Sequence, residues 1–372
     1  MMKFVFSVLL ILTSAIAQAQ LGDASRSARS RAMGGVYAPF ARGADAIFVN
    51  PAGLATSPVL EIKLLELSAA TNSFTFENIK NFQDIDANDP STFNRFFGEK
   101  VWAQATGKLG VAIPFFGIGY LNNAEVSLEL HNPAFPEFDT YFVQDEAIYL
   151  AGAFPLSPTT YLGLAFKRIN RWGGSTQELS IGDVSDASSI QDIGDRFQNK
   201  GQGYGVDVAL MTELPVPVFK PTLGLIMQDV GTTTFNKTAG DEAPPAIPQS
   251  LTFAGGLGVD LPGLDVLVGF EARHLTEPDI QIGKKLHLGA EVSLPMIDLR
   301  AGYGQGYFSY GAGVNLLIFH IDAVSYTEEM GVYPGQAGDA RYMVTLNIDL
   351  SFDADFKFTD NSGKKRRLKQ RR

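Results

Sequence analysis

The stretch Arg341-Tyr342-Met343-Val344-Thr345-Leu346-Asn347-Ile348-Asp349-Leu350-Ser351-Phe352 reads two residues at a time. Tyr342, Val344, Leu346, Ile348, Leu350 and Phe352 form one set, while Thr345, Asn347, Asp349 and Ser351 form the other. A β-strand sends successive side chains to opposite faces, so this stretch makes a strand with one apolar and one polar face. The pattern recurs upstream. Leu286, Leu288, Ala290 and Val292 alternate with His287 and Glu291, and Ile297, Leu299, Ala301 and Tyr303 alternate with Asp298 and Arg300. Alternation alone fits a soluble sandwich as well as a membrane barrel. In a sandwich, however, nothing makes connections short at one end and long at the other.

Here the connections do differ by end. About 14 strands are expected between Val59 and Phe352, and every second connection is tight. The tight ones are Pro114 to Phe115, Leu156 to Thr159, Pro215 to Pro221, Pro262 to Leu264, Leu294 to Met296, and Leu317 to Ile318. Prolines populate them because a residue without an N–H belongs in a turn rather than a ladder. The long connections include Thr71 to Glu99, Asn132 to Phe142, Gly173 to Gln202, Asn236 to Gln249 and Glu328 to Ala340. Short turns at one rim and long loops at the other describe an all-β, antiparallel transmembrane barrel of the outer-membrane kind. Such a wall satisfies every backbone amide without leaving an edge in lipid. Tyr303, Phe308, Tyr310, Tyr342 and Phe352 fall on outward faces near strand ends, where aromatic rings sit at headgroup level.

Composition and termini agree with export. The chain is 45% hydrophobic and only 19% charged, with 38 glycines and no cysteine, which excludes intrinsic disorder, a disulfide scaffold and thiolate chemistry. Lys3 precedes an apolar run from Phe4 to Leu12, followed by Ala17 and Ala19 at signal-peptidase spacing. The run is too short for a spanning helix. The expected organisation is a signal peptide over 1–19, an amino-terminal hatch over 20–57, a barrel over 58–352 and a basic periplasmic tail over 353–372. The tail carries Lys364, Lys365, Arg366, Arg367, Lys369, Arg371 and Arg372, while the whole chain has net charge −10, so the body is acidic and unsuited to nucleic acid. Outer-membrane lipid, and a periplasmic partner reached through the tail, are the expected contacts.

The segment before the first strand is small, compact and weakly helical, with an Asn-Pro-Ala-Gly turn. It is too apolar for a free tail and too glycine-rich to span lipid, so a place inside the lumen suits it. Its Arg26, Arg29, Arg31 and Arg42 outnumber Asp23 and Asp45, which complements an acidic interior. The pairing of Ala32-Met33-Gly34-Gly35 with Phe48-Val49-Asn50-Pro51-Ala52-Gly53-Leu54 resembles the FadL-type outer-membrane barrels, whose relatives include PorV-like secretion components and TraF-like conjugation-associated proteins. The resemblance implies a hatch plugging the lumen, with Asn50, Pro51 and Ala52 in it. It implies a passive conduit for hydrophobic small molecules such as long-chain fatty acids in the FadL branch. In the PorV-like and TraF-like branches it implies a non-transporting scaffold or partner-binding component of a secretion or conjugation system. The basic tail and the shorter chain depart from the FadL pattern.

Alternation sends Asp207, Glu271, Arg273, His287, Glu291, Asp298 and Arg300 into the lumen, as structural ion pairs or as a transport path. In the first long loop Phe82, Phe93, Phe96 and Phe97 would line a ligand pocket for a hydrophobic molecule or form a loop mini-core. His274 and His287 flank one hairpin. His274 shares parity with outward-facing Val266, Val268 and Phe270, whereas His287 sides with Glu291, so no metal pair is expected. No Ser/His/Asp constellation assembles, and neither enzymatic activity nor a cofactor is expected.

Overall fold

The computed structural model describes residues 26–57, 60–80, 96–131, 137–173, 177–180, 199–216, 219–316 and 318–352. The expected signal peptide and the basic tail lie outside them. Sixteen strands run in chain order: β1 (Leu60–Asn72), β2 (Lys100–Ile113), β3 (Phe116–His131), β4 (Glu137–Pro155), β5 (Thr160–Gly173), β6 (Gln177–Ser180), β7 (Lys200–Glu213) and β8 (Thr222–Gln228). Then follow β9 (Phe235–Ala239), β10 (Ser250–Leu261), β11 (Leu264–Ala272), β12 (Leu286–Ser293), β13 (Ile297–Gly304), β14 (Tyr307–Leu316), β15 (Phe319–Glu329) and β16 (Gly338–Phe352). Fourteen of them form a closed antiparallel ring. The ring closes where β1 pairs with β16, from Leu60 opposite Phe352 to Asn72 opposite Arg341. The other two, β6 and β9, belong to long loops and extend the pairing of β4 and β7.

Closure dictates the two faces. Outward side chains such as Phe166 (60% exposed), Leu299 and Val344 form an apolar mantle of a size that water-facing monomers do not carry. Tyr303 and Phe308 pack edge-to-face at 5.0 Å beside the long-loop end of β13 and β14, as an interfacial aromatic girdle does. No helix among the described residues is long and apolar enough to cross a membrane; the apolar mantle is carried by the strands of the closed barrel. Alternation breaks in β1. A register shift between Lys63 and Leu65 of β1 inserts one residue, so that Lys63 and Glu66, three apart, both point inward.

The core lies inside the ring, between the wall and the amino-terminal segment. That segment has three short helices: α1 (Ala28–Ala32), α2 (Gly43–Val49) and the 3-10 turn η1 (Pro51–Thr56). α1 touches β13 to β16, α2 touches β1 to β4, and η1 touches β3, β4, β5 and β7. It therefore meets opposite sides of one ring.

Candidate functional site: the lumen and its hatch

Local chemistry shapes the hatch. Ser27 caps α1 by accepting the Ser30 amide, and the helix stops after Met33 because Gly34 takes φ 66°, a left-handed conformation that suits glycine. Gly34 is also needed for space, since a Cβ there would lie 2.6 Å from the Leu288 carbonyl oxygen on β12. Asn50 joins two elements. Its Oδ1 accepts from the Ala52 amide at 3.2 Å, capping η1, and its Nδ2 donates to the Ala38 carbonyl at 2.9 Å. Pro51 occupies the first turn of η1, where a missing N–H costs nothing. Ala32, Met33, Gly35, Asn50, Pro51, Ala52 and Gly53 are all buried, and Gly34 nearly so. Both halves of the motif lie inside the ring.

Four hatch arginines reach four wall glutamates. Arg26 meets Glu271 at 3.4 Å, Arg31 meets Glu328 at 3.2 Å, and Arg29 donates through Nε to Glu291 at 2.7 Å. Arg42 pairs with Glu213 near the short-turn rim. Glu271 is fully buried and also accepts the Tyr37 and Ala38 amides, each at 2.6 Å. His287 faces the Gly34 carbonyl at 2.7 Å and Arg273 at 2.7 Å. Arg300 draws Glu291, Asp298 and Asp322 into one network. Across the ring Asp45 of α2 pairs with Lys63 at 2.8 Å, and Glu66 accepts from Lys63 and Lys108 at 2.6 Å each. Burial pushes the Asp45 pKa up, but Lys63 and Lys108 override it and hold the carboxyl below its usual range.

Beside these charges runs an apolar column. Ile47, Phe48 and Leu54 of the hatch pack in one buried cluster with Leu121, Tyr149 and Ile169 of β3 to β5. Phe48 meets Tyr149 edge-to-face at 5.1 Å. At the long-loop side the cluster ends on Phe235 and Ile247. These come from the connection between β8 and β10, which folds inward. Arg171 holds it there: its guanidinium grips Asp145 at 2.7 and 2.8 Å, donates to the Pro245 carbonyl at 2.8 Å, and lies 4.9 Å from the Phe235 ring centre. Lys167 adds a second hold by bridging Asp207 at 2.8 Å and Asp229 at 2.9 Å. The column is thus covered at its long-loop end. A crevice lined by Arg26, Tyr37, Ile226, Thr252 and Glu271 leaves room for about one water.

In the first long loop Phe96 is buried against Leu130, meets Phe74 edge-to-face at 5.9 Å, and has Phe97 and Val101 packed beside it. These side chains fill one another's space as a mini-core. Phe82 and Phe93 fall outside the described residues. Parity misplaces His274. It lies beyond the end of β11 with φ 55°, so the strand's alternation no longer applies, and it bonds Ser250 and Glu277 instead of facing outward. Sequence reading missed Lys63, Glu66 and Lys108. It also missed the group at the long-loop end where Trp102 donates to Glu125 at 2.7 Å and Arg341 lies 3.7 Å from the Trp102 ring centre. The adjacent Leu64 and Leu65, which break the alternation of β1, are the signal for the first set.

No family model matches the chain, and no curated protein matches it. Solved structures do. The deltaS2S3 mutant of the TodX monoaromatic hydrocarbon channel shares 13% identity over 88% of this chain and 99% of that one, with a TM-score of 0.50. The deltaS2 mutant of the same channel gives 12% identity over 89% and 99%, also at 0.50. The toluene transporter TbuX of Ralstonia pickettii gives 12% identity over 88% and 98%, at 0.48. At these identities the likeness is one of fold, and that fold is the FadL-type outer-membrane barrel.

Proposed function

We propose that the chain, a barrel of FadL-type fold, is a passive outer-membrane conduit for small hydrophobic molecules, closed at rest by its hatch. The observation that carries this reading is the buried apolar column from Phe235 and Ile247 to Ile47, Phe48 and Leu54. A wall built only to hold a plug has no use for such a track, because the ion pairs on the other strands already dock it. Uncharged cargo suits the lumen better than long-chain fatty acids. Lys63, Lys108, Lys167, Arg171, Arg300 and Arg341 already face wall or hatch carboxylates, so a cargo carboxylate would have to displace one. The neighbours of like fold are named as hydrocarbon channels, which supports the same class.

The covered column supports a second reading, a sealed scaffold of PorV-like or TraF-like kind. Deleting Ser27 to Val49 separates the two. A conduit lacking its hatch passes small solutes through reconstituted protein, and intact protein takes up an uncharged aromatic compound faster than protein-free vesicles. Unchanged conductance on deletion, with no uptake by the intact chain, assigns the scaffold.

A further inference from the structure

The short-turn rim carries residues that a water-facing rim does not. Six tight turns join successive hairpins there, and water-facing turns are made of polar residues, glycine and proline. Here each turn or its flank exposes a large apolar side chain: Phe115 (42%), Leu156 (60%), Phe219 (52%), Leu261 (48%), Met296 (57%) and Ile318 (38%). Charge on the described turns and flanks is sparse: Lys220 pairs with Asp260 at 2.5 Å, Glu213 pairs with Arg42, and Asp265 follows one turn.

The backbone of these turns is equally unlike that of a hydrated loop. Leu156, Leu214 and Leu294 donate across their own turns to Thr160, Pro221 and Ile297 at 2.8 to 2.9 Å. Other bonds tie turn to neighbouring strand: Ala153 donates to the Phe115 carbonyl, Lys220 to Gly258, Asn315 to Met296 and Asp349 to Ile318. Prolines 114, 158, 215, 221, 262 and 295 remove further donors. Turns in which many of the described amides are paired or replaced by proline ask less of water, which is the direction lipid imposes on backbone.

Wall height points the same way. β4 has 19 residues, but β12 and β13 have 8 each. At about 3.4 Å per residue and a tilt of about 40°, eight residues rise roughly 20 Å, short of the ~25 Å apolar band of such barrels. Tyr303 and Phe308 mark the girdle above this hairpin, so the missing height lies below it, at Leu294, Pro295 and Met296. Met296 continues directly into the outward apolar residues Ile297 and Leu299, and Leu156 follows outward Phe154.

We infer that the short-turn rim is a lipid-binding surface: its turns lie within the acyl-chain boundary of the adjoining leaflet, and the β12–β13 hairpin reaches full membrane depth only through its turn. The occupant is phospholipid, since at five of the six turns an exposed apolar side chain continues the lipid-facing mantle, and at the sixth Phe219 does so beside the Lys220–Asp260 pair. This inference is independent of whether the lumen conducts.

The chain has no cysteine, so single-cysteine variants report cleanly. Leu156→Cys, Met296→Cys and Ile318→Cys, each labelled with a polarity-sensitive dye, are compared with Glu242→Cys on the exposed connection between β9 and β10. All are reconstituted in dioleoylphosphatidylcholine vesicles, with heat-modifiable gel mobility confirming folded barrels. Dyes on the turns should be quenched by acyl-brominated lipid and be several-fold less sensitive to aqueous iodide than the Glu242 site. Equal iodide sensitivity at turns and loop overturns the inference. So does protection that appears in native outer membranes but not in pure lipid, which assigns the rim to a protein partner. If one cysteine variant does not fold, the remaining two turns carry the same test.

Discussion

Glu271→Ala is the perturbation that the hatch should feel most. In the wild-type chain this fully buried carboxylate accepts the Tyr37 and Ala38 amides at 2.6 Å each and pairs with Arg26 at 3.4 Å. Alanine leaves two amides without an acceptor, each costing about 1–3 kcal/mol when buried. It also leaves Arg26 without that carboxylate. A water can enter the adjacent crevice and recover part of the loss, so the lower end of the range is the appropriate one. The two amides at about 1 kcal/mol each give a total of about 2 kcal/mol, which shifts the docked-to-released ratio of the hatch by about 30-fold, at tenfold per 1.4 kcal/mol. The wall itself keeps its ladder, because Glu271 pairs with His287 of β12 through backbone. Liposome swelling with small sugars reads the released fraction, and heat-modifiable mobility verifies that the barrel has formed. Glu271→Gln, which keeps one acceptor oxygen, should fall between alanine and wild type. A folded Glu271→Ala barrel that swells vesicles at the wild-type rate would refute the claim that this carboxylate seats the hatch.

Arg171→Ala removes the grip on Asp145, Pro245 and Phe235, so the connection between β8 and β10 should become cleavable by added protease on intact cells while hatch-dependent conductance stays low. Gly34→Val should reduce the yield of heat-modifiable barrel or leave the hatch undocked, because the residue sits at φ 66° against the β12 backbone; normal swelling and normal yield would contradict this. Asp45 is held below its ordinary pKa of 3.8, so its contribution to docking is fully present above about pH 4 and is lost only as pH falls further, through the lower folded-state value. The difference in hatch-amide exchange between wild type and Asp45→Asn, once corrected for intrinsic rates, should accordingly stay constant from neutral pH to about 4, with the variant the faster throughout that range.

What the sequence made legible follows from what period-two alternation encodes. The closed ring and the inward direction of Glu271, Glu291 and Arg300 come from parity, which holds as long as each strand stays in register, whereas β4 begins at Glu137, inside the expected loop from Asn132 to Phe142. Parity fails where the backbone departs from a plain ladder. The bulge at Leu64 turns both Lys63 and Glu66 inward, and the left-handed His274 leaves the strand altogether. Pairings were harder still. That Arg29 selects Glu291 and Arg42 selects Glu213 depends on how the hatch is rotated in the lumen, and this is fixed by side chains far apart in sequence. The caps and turns of the amino-terminal segment were legible because their chemistry is local: Asn50, Pro51 and Gly34 act within a few residues of themselves.

The division of the lumen into a charged part and an apolar column has a physical consequence for any opening of this barrel. A hatch held by greasy contacts alone would expose that surface on release and reseal at once, while one held by deeply desolvated ions would pay heavily to dock. Here the arginines Arg29 and Arg42 retain 28% side-chain exposure each, so water already reaches them and can replace part of each bond as it breaks. The buried pairs at Glu271 and Glu328 keep the register of docking. One apolar cluster joins α2 and η1 to β2 through β5, where a hydrophobic cargo offers the same kind of surface as the hatch does, while smaller clusters seat Ala28 and Ala32 of α1, and Ala38 and Ala52, elsewhere on the wall. A molecule entering between Phe235 and Phe48 would therefore compete with the hatch for the column while leaving the ion pairs intact. Release driven by cargo is then expected to begin at α2 and η1, with α1 still tethered through Arg26, Arg29 and Arg31.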